Sequence, residues 1–255
     1  MRKENEKAIG IVVPCFNEEA RFDVDYWTDI ISDLTDIDWL FVNDGSSDNT
    51  FYILSSLSKQ TGIKVLENKI NKGKAETIRL GILELTKGPQ HYQFVGYIDS
   101  DGAFEKNDIK NITSKAILSN LERNQDDIFL GSRVKLAGSK IKRSSSRHYM
   151  GRLVSTFITH GWENSPYDSQ CGFKLIRVSS YFKEVLNFEM KTRWFVDIEL
   201  IARMSNAKKS EIKLQEIPLH YWEEVSGSKI NPMNIGLLKE ILYIRKLIRQ
   251  YLVKV

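Results

Sequence analysis

Cysteine is almost missing from this chain: Cys15 and Cys171 are the only two in 255 residues. They lie far apart with no metal-ligand spacing, so two free, reduced thiols are the default, and a bridge between them stays open but unsupported. Long apolar runs are also missing. No stretch approaches the roughly 18 consecutive apolar residues that a membrane span needs. The N-terminal "MRKENEKAIGIVV" has a charged start, but its apolar part is too short for a signal peptide. A cytoplasmic protein is therefore expected. Acidic residues are absent from Ile128 to Trp162, where Arg133, Lys135, Lys140, Lys142, Arg143, Arg147 and Arg152 all fall. Such a block is either a solvated face or a surface for anionic groups such as phosphates. The net charge of +4 is too small for its total to imply nucleic acid. The basic block also lacks interleaved aromatic residues, so nucleic-acid binding is not expected.

What is present is ordinary globular material, 42% hydrophobic and 27% charged, enough for one large α/β domain or two small ones. Apolar runs alternate with helical patterns through the first half. "AIGIVV" (8–13), "DWLFVN" (38–43), "IKVLEN" (63–68) and "YQFVGYI" (92–98) read as strands. The intervening patterns at 24–34, 48–57, 74–85 and 107–121 read as helices. This alternation implies βαβ crossovers and a mostly parallel sheet covered on both faces. The second half is less regular: strands at "IFLGSR", "GFKLI" and "KLQEIPL", helices at 149–159 and 195–204, and an amphipathic C-terminal helix with five basic residues and one acidic one.

In such sheets ligands bind beyond the carboxyl ends of the strands. The loops there are polar: "PCFNEE", "NDGSSDNT", "NKINKGKA" and "DSDG". Two carboxylates at i and i+2, Asp99 and Asp101, can hold a hard divalent cation that shares oxygen ligands with a substrate's phosphates; alternatively they form an Asp-rich turn. Asp44 can accept the ring N–H of a uracil or guanine, while Ser47 or Asp48 suits a helix cap. Around Gly73, Lys72 and Lys74 bring positive charge to the same edge, and a helix N-terminus there favours an anion.

"VVPCFNEE", "FVNDGSSDNT", "NKGKAETIRLGI", "IDSDG", "GSR", "DSQCGFKL" and "RWFVDIEL", in this order, resemble glycosyltransferase family 2. The similarity runs from about Ile9 to Lys229 and is strongest to the branch of dolichyl-phosphate mannose synthases and glucosyltransferases. The resemblance implies the GT-A nucleotide-diphospho-sugar transferase fold, a Rossmann-like, mostly parallel α/β sheet, over residues 1–230. Residues 231–255 would then form the appended basic helix. It also implies inverting transfer of a hexose from a UDP- or GDP-sugar to a polyprenyl phosphate. By this resemblance Pro14, Phe16, Asn17, Glu18, Gly45 and Ser100 line the nucleotide pocket and Asp44 reads the base. Lys74 lies beside the nucleotide, Asp99 approaches the ribose or metal, and Asp101 ligates Mg2+ or Mn2+ at the diphosphate. Arg133 approaches phosphate oxygens, and Gln170 and Asp197 face sugar and acceptor.

A phosphate acceptor is already anionic and needs no strong base; its difficulty is repulsion by the donor, which the basic block, notably Arg143 and Arg147, would relieve. A saccharide hydroxyl acceptor in cell-surface glycan synthesis would instead require a general base, with Asp197 expected in that role. A non-catalytic nucleotide-sugar-binding protein is the third reading. One departure concerns the metal: where mannose synthases of the branch carry glutamine, this chain has Ala103. Many such enzymes also carry a membrane anchor, for which the C-terminal helix would substitute by lying at the cytoplasmic face of the membrane, unless it packs on its own domain or a second subunit. Of Asp197 and Glu199 at most one is expected to face the site, since i and i+2 on a helix do not share a face; Glu199 is read as a surface residue. Trp194 and Trp222 are expected mainly in packing.

Overall fold

The computed structural model describes residues 7–121, 126–225 and 235–252, the side chains of 121, 145–148, 150 and 235 excepted. The first half alternates as expected: β1 (Ile9–Cys15), α1 (Val24–Asp33), β2 (Ile37–Asp44), α2 (Thr50–Thr61), β3 (Lys64–Asn68), α3 (Lys74–Lys87), β4 (Phe94–Ile98) and α4 (Lys106–Leu121). There follow β5 (Ile128–Ser132), β6 (Lys140–Lys142), α5 (Ser145–Thr159), β7 (Phe173–Arg177), α6 (Ser180–Leu186), α7 (Val196–Lys208), β8 (Leu214–Pro218), β9 (Tyr221–Glu223) and α8 (Ile235–Tyr251). The short elements β6, α6 and β9 are additions to the sequence reading.

Seven strands form one sheet in the order β3-β2-β1-β4-β7-β5-β8, and β6 pairs with β9 beside it. All neighbours in the large sheet run parallel except β7, which is antiparallel to β4 and β5. In β1, Ile11, Val12 and Val13 are fully buried, as a strand covered on both faces requires. Alternate residues feed two cores. Ile11, Val13 and Phe41 pack with Trp27 of α1 on one face. Val12, Val42 and Tyr97 pack with Ile78 and Ile82 of α3, with α7, and with Ile244 and Ile248 of α8 on the other.

This topology decides which loops meet. Strands β1, β2 and β4 end at a common edge. Because β7 runs the opposite way, its first residue Phe173 pairs with the last of β4, Ile98, and the segment before β7 arrives at that same edge. The C-terminal helix packs against α5 and α7. The boundary expected at 230/231 lies outside the described residues. Among the described residues, no helix is long and apolar enough to cross a membrane.

Candidate active site

The loops at this edge enclose a cavity of about 700 Å³. Its first wall is a lacework between the loops that follow β1 and β2. Asn17, at φ +49°, accepts the Ser47 N–H at 2.8 Å, and its own N–H donates to Ser46 Oγ at 2.9 Å. The Glu18 N–H donates to Thr50 Oγ1 at 2.7 Å, while its carboxylate receives Arg21. Asp48 accepts the Thr50 N–H at 3.0 Å, but the N-cap of α2 is Asn49, not the expected Ser47 or Asp48, and it makes no side-chain cap bond.

Asp44 is buried, and its four acceptor positions are filled. Oδ1 takes Asn68 Nδ2 at 3.0 Å and the Lys72 N–H at 2.9 Å; Oδ2 takes Asn71 Nδ2 and the Gly73 N–H, each at 2.9 Å. The anion expected at the start of α3 is thus the protein's own carboxylate. The Ala75 N–H is taken as well, by the Arg193 carbonyl at 3.1 Å. For Asp44 to read a base, one of these donors must give way. Gly45 borders this loop without lining the cavity: at φ +66° it approaches Asn71 so closely that an added Cβ would lie 2.6 Å from the backbone nitrogen.

The Asp-rich loop after β4 is pinned from below. Trp27 Nε1 donates to the Ser100 carbonyl at 3.0 Å, fixing the backbone between the two aspartates. Asp99 forms an ion pair with Lys74 at 2.5 Å. Burial opposes the charge on Lys74, but Asp99 and then Asp197 more than offset this and hold its pKa above the ordinary value. Asp99 rests against Gly172, where a Cβ would fall 2.1 Å from Oδ2, so glycine is required by the carboxylate beside it. Asp101 is pushed up to about 6, first by burial and then by the charge of Asp99. Such a repelling pair suits a divalent cation that completes its shell with water and substrate phosphates. The residues fit Mg2+ or Mn2+ in that shared sense. Among the described residues no cluster of three or more His, Cys, Asp or Glu could hold a metal alone. Ala103 contributes only its N–H, at 3.2 Å from Asp101 Oδ1.

Asp197, in the first turn of α7, is buried and fully engaged. It accepts the Tyr97 hydroxyl and, at 3.2 Å, Gln170 Nε2, and it pairs with Lys174 at 2.8 Å. Burial pushes Asp197 up to about 8 and pulls Lys174 down to about 8. Lys174 also donates to the Cys171 carbonyl at 2.5 Å. Glu199 corrects the sequence reading: it is buried, not a surface residue. It accepts the N–H groups of Lys191 and Thr192 at 2.9 and 2.8 Å and shapes the loop before α7. As expected, only Asp197 of the two lines the cavity.

The basic block divides. Arg133 forks onto Asp168, Nε to Oδ2 and Nη2 to Oδ1, both at 2.7 Å, above the Trp222 ring. Burial opposes ionisation of Asp168, yet the hydrogen bonds and charge of Arg133 hold it near 2. Lys142 pairs with Glu223, and Arg152 lies over Tyr167. Arg143 lines the cavity half-buried, beside Gly151 of α5, with no hydrogen-bond or ion-pair partner among the described residues. Burial, and then Arg133, lower its pKa. The Arg147 side chain lies outside the described residues.

Thus Pro14, Phe16, Asn17, Glu18, Asp44, Lys74, Asp99, Ser100, Asp101, Arg133, Arg143, Gln170 and Asp197 share one cavity. Sequence reasoning missed Arg21, Asn71, Arg193 and the apolar wall formed by Val154 and Ile158 of α5 with Leu237 and Ile241 of α8. Arg193 lay within the quoted "RWFVDIEL" stretch, a signal that was available. Trp194 and Trp222 both pack and line the cavity. Cys15 and Cys171 are free and buried, and burial pushes the Cys171 thiol up to about 12.

Comparison with known proteins follows the same outline. The model of the family described as Glycosyl transferase family 2 matches residues 10–184. The dolichyl-phosphate beta-glucosyltransferase of Dictyostelium discoideum is 29% identical over 252 residues, covering 93% of this chain and 73% of that protein. The Saccharomyces cerevisiae protein of the same name is 28% identical, covering 95% and 75%. The Homo sapiens one is 29% identical, covering 94% and 75%. Among solved structures, glucosyl-3-phosphoglycerate synthase from Mycobacterium tuberculosis, in complex with Mn2+, UDP and glucosyl-3-phosphoglycerate, superposes with a TM-score of 0.58 at 15% identity. That match covers 98% of this chain and 81% of the other. S. aureus TarS 1-349 in complex with UDP gives 0.54 at 15% identity, covering 93% and 64%. At such identities the structural likeness speaks for the fold alone.

Proposed function

The chain belongs to glycosyltransferase family 2, and on that premise we propose that it transfers glucose from UDP-glucose to a polyprenyl phosphate of the dolichyl type, with inversion at the anomeric carbon. The single observation that carries this reading is that one cavity is lined both by Arg143, whose guanidinium has no hydrogen-bond or ion-pair partner among the described residues, and by apolar side chains of α5 and α8. This is a match for an acceptor that is a phosphate with a long hydrocarbon chain. The glucosyl donor is favoured by the activity named for the curated relatives, and uridine by the nucleotide in the solved neighbours.

In the proposed reaction an oxygen of the acceptor phosphate attacks C1 of glucose as the bond from C1 to the diphosphate oxygen breaks. The products are polyprenyl phosphoglucose and UDP, and no proton has to be removed. A hydroxyl acceptor would need a base, and Asp197 is unsuited to it, being held by Tyr97, Gln170 and Lys174. The same engagement disfavours Asp197 as a nucleophile, which supports a single displacement and hence inversion. Lys74 would bind and orient the leaving diphosphate, and Arg133, already fixed by Asp168, would add positive charge. Asp99 and Asp101 would hold Mg2+ or Mn2+, which when bound supplies charge neutralisation to the leaving group.

Contact with a membrane surface fits this acceptor. Leu153 and Phe157 on α5 and Leu238 and Leu242 on α8 are exposed, on helices whose other residues wall the cavity. Exposed Lys239, Lys246 and Arg249 of α8 supply cations for anionic headgroups, while Arg245 is engaged by the carbonyl and ring of Phe157. The test is transfer of radiolabel from a panel of UDP- and GDP-hexoses to dolichyl phosphate, with the product's anomeric configuration read by NMR. A β-linked product from UDP-glucose is expected; an α-linked product, or label entering only a saccharide hydroxyl, overturns the proposal.

A further inference from the structure

Lys74 occupies an unusual position for a residue expected beside a nucleotide. Its ammonium is 2.5 Å from Asp99 Oδ1, lies over the Tyr97 ring at 5.9 Å, and feels the charges of Asp99, Asp197 and Asp101. It therefore sits where a cation is wanted. Asp99 is poorly able to leave it, because its N–H donates to the Gly172 carbonyl at 2.9 Å and its carboxylate abuts the bare Cα of Gly172. Lys74 has the longer reach of the pair: its ammonium turns on four side-chain bonds and the Asp99 carboxylate on two, while the two side chains are about equally exposed, at 26% and 31%. No third acidic, His or Cys ligand among the described residues completes a metal cluster with Asp99 and Asp101.

We propose that Lys74 is an exchange cation: it holds the seat at Asp99 in the donor-free enzyme and moves to the donor's diphosphate when a divalent cation takes that seat. The inference rests on the reading above that Asp99 and Asp101 take such a cation. Its consequence is coupling. The divalent cation must displace an ion pair to reach Asp99 in the free enzyme, and a nucleoside diphosphate removes that cost by offering Lys74 another anion. By linkage, the metal strengthens diphosphate binding by the same factor that the diphosphate strengthens metal binding.

The experiment is Mn2+ titration of the whole protein, read by EPR of the free ion, with and without saturating UDP, in wild type, Lys74→Met and Lys74→Gln. Wild type is expected to bind Mn2+ about tenfold or more tightly with UDP than without. In both variants Mn2+ should bind the nucleotide-free protein about tenfold more tightly than wild type does, and the effect of UDP should shrink. Two neutral replacements of different polarity keep the result from depending on one variant's folding, which thermal melts check. Equal Mn2+ affinity of wild type and both variants without UDP overturns the exchange while leaving the cation site standing. Failure of Mn2+ to bind any of the three, with or without UDP, removes the cation site and the exchange together.

Discussion

A single methyl group at position 172 is predicted to disable the donor site. In the native fold a Cβ there would lie 2.1 Å from Asp99 Oδ2 and 2.4 Å from its Cγ. Non-bonded carbon and oxygen do not approach much closer than about 3 Å, so the carboxylate has to move by roughly 1 Å. The backbone cannot absorb the movement easily, since Asp99 N–H is tied to the Gly172 carbonyl and Ile98 is in register with Phe173. The side chain must rotate off Gly172 instead, which shifts the carboxylate that pairs with Lys74. A displacement of about 1 Å in a positioning group costs on the order of 100-fold in rate. The overpacking itself costs about 1–3 kcal/mol, lowering Tm by several degrees without unfolding the chain at 25 °C. Gly172→Ala should therefore keep its far-UV circular dichroism and lose most of its kcat/KM for transfer and its Mn2+ affinity. A variant that transfers and binds Mn2+ like wild type refutes the placement of Asp99 against this glycine as a functional constraint.

Three further outcomes are expected. Lys174→Met removes a partner of Asp197, which burial already raises to about 8, so the stability lost in chemical denaturation should grow from pH 6, where Asp197 is protonated, to pH 9, where its charge is stranded; adding Asp197→Leu should remove that dependence, and an equal loss at both pH values would contradict the pairing. Asp168 has a pKa depressed to about 2 by Arg133, so its stabilisation of about 2 kcal/mol is complete above the ordinary carboxylate range and is lost as pH falls through 4 towards 2. Acid titration of stability should be shallower in Asp168→Asn over that window, and an unchanged slope would argue against the fork. Trp27→Phe keeps an aromatic ring in the core but removes the donor to Ser100, at a cost of about 1 kcal/mol, and should raise hydrogen exchange in the Asp-rich loop; unchanged exchange would show the loop is held otherwise.

The alternation of apolar runs and amphipathic patterns revealed the parallel core because strands buried on both faces are apolar throughout, as in Ile11–Val13. The loops after β1, β2 and β4 were legible for a related reason: strand ends and polar residues mark one edge. The loop before β7 was legible only through resemblance. The rule that sites follow strands does not reach a segment that precedes one, and the antiparallel direction of β7 cannot be read from "GFKLI". Short elements such as β6 and β9 carry too few residues for periodicity to register. Partnerships were hidden most completely. Asp44, Asp168 and Glu199 were visible as acids, but their engagement with Asn68, Arg133 and the loop before α7 depends on tertiary proximity. Likewise, no pattern within α5 or α8 reveals that Val154 and Ile241 wall the same cavity.

The most direct test of a cavity with a donor end and a lipid-phosphate end is the kinetics of Arg143→Gln. With radiolabelled UDP-glucose and dolichyl phosphate in vesicles, the KM for the lipid should rise about tenfold or more while the KM for UDP-glucose stays near wild type, since one charged hydrogen-bonding group is worth about 1.5–3 kcal/mol. An unchanged KM for the lipid, or an equal rise for both substrates, would contradict the assignment of that end of the cavity to the acceptor.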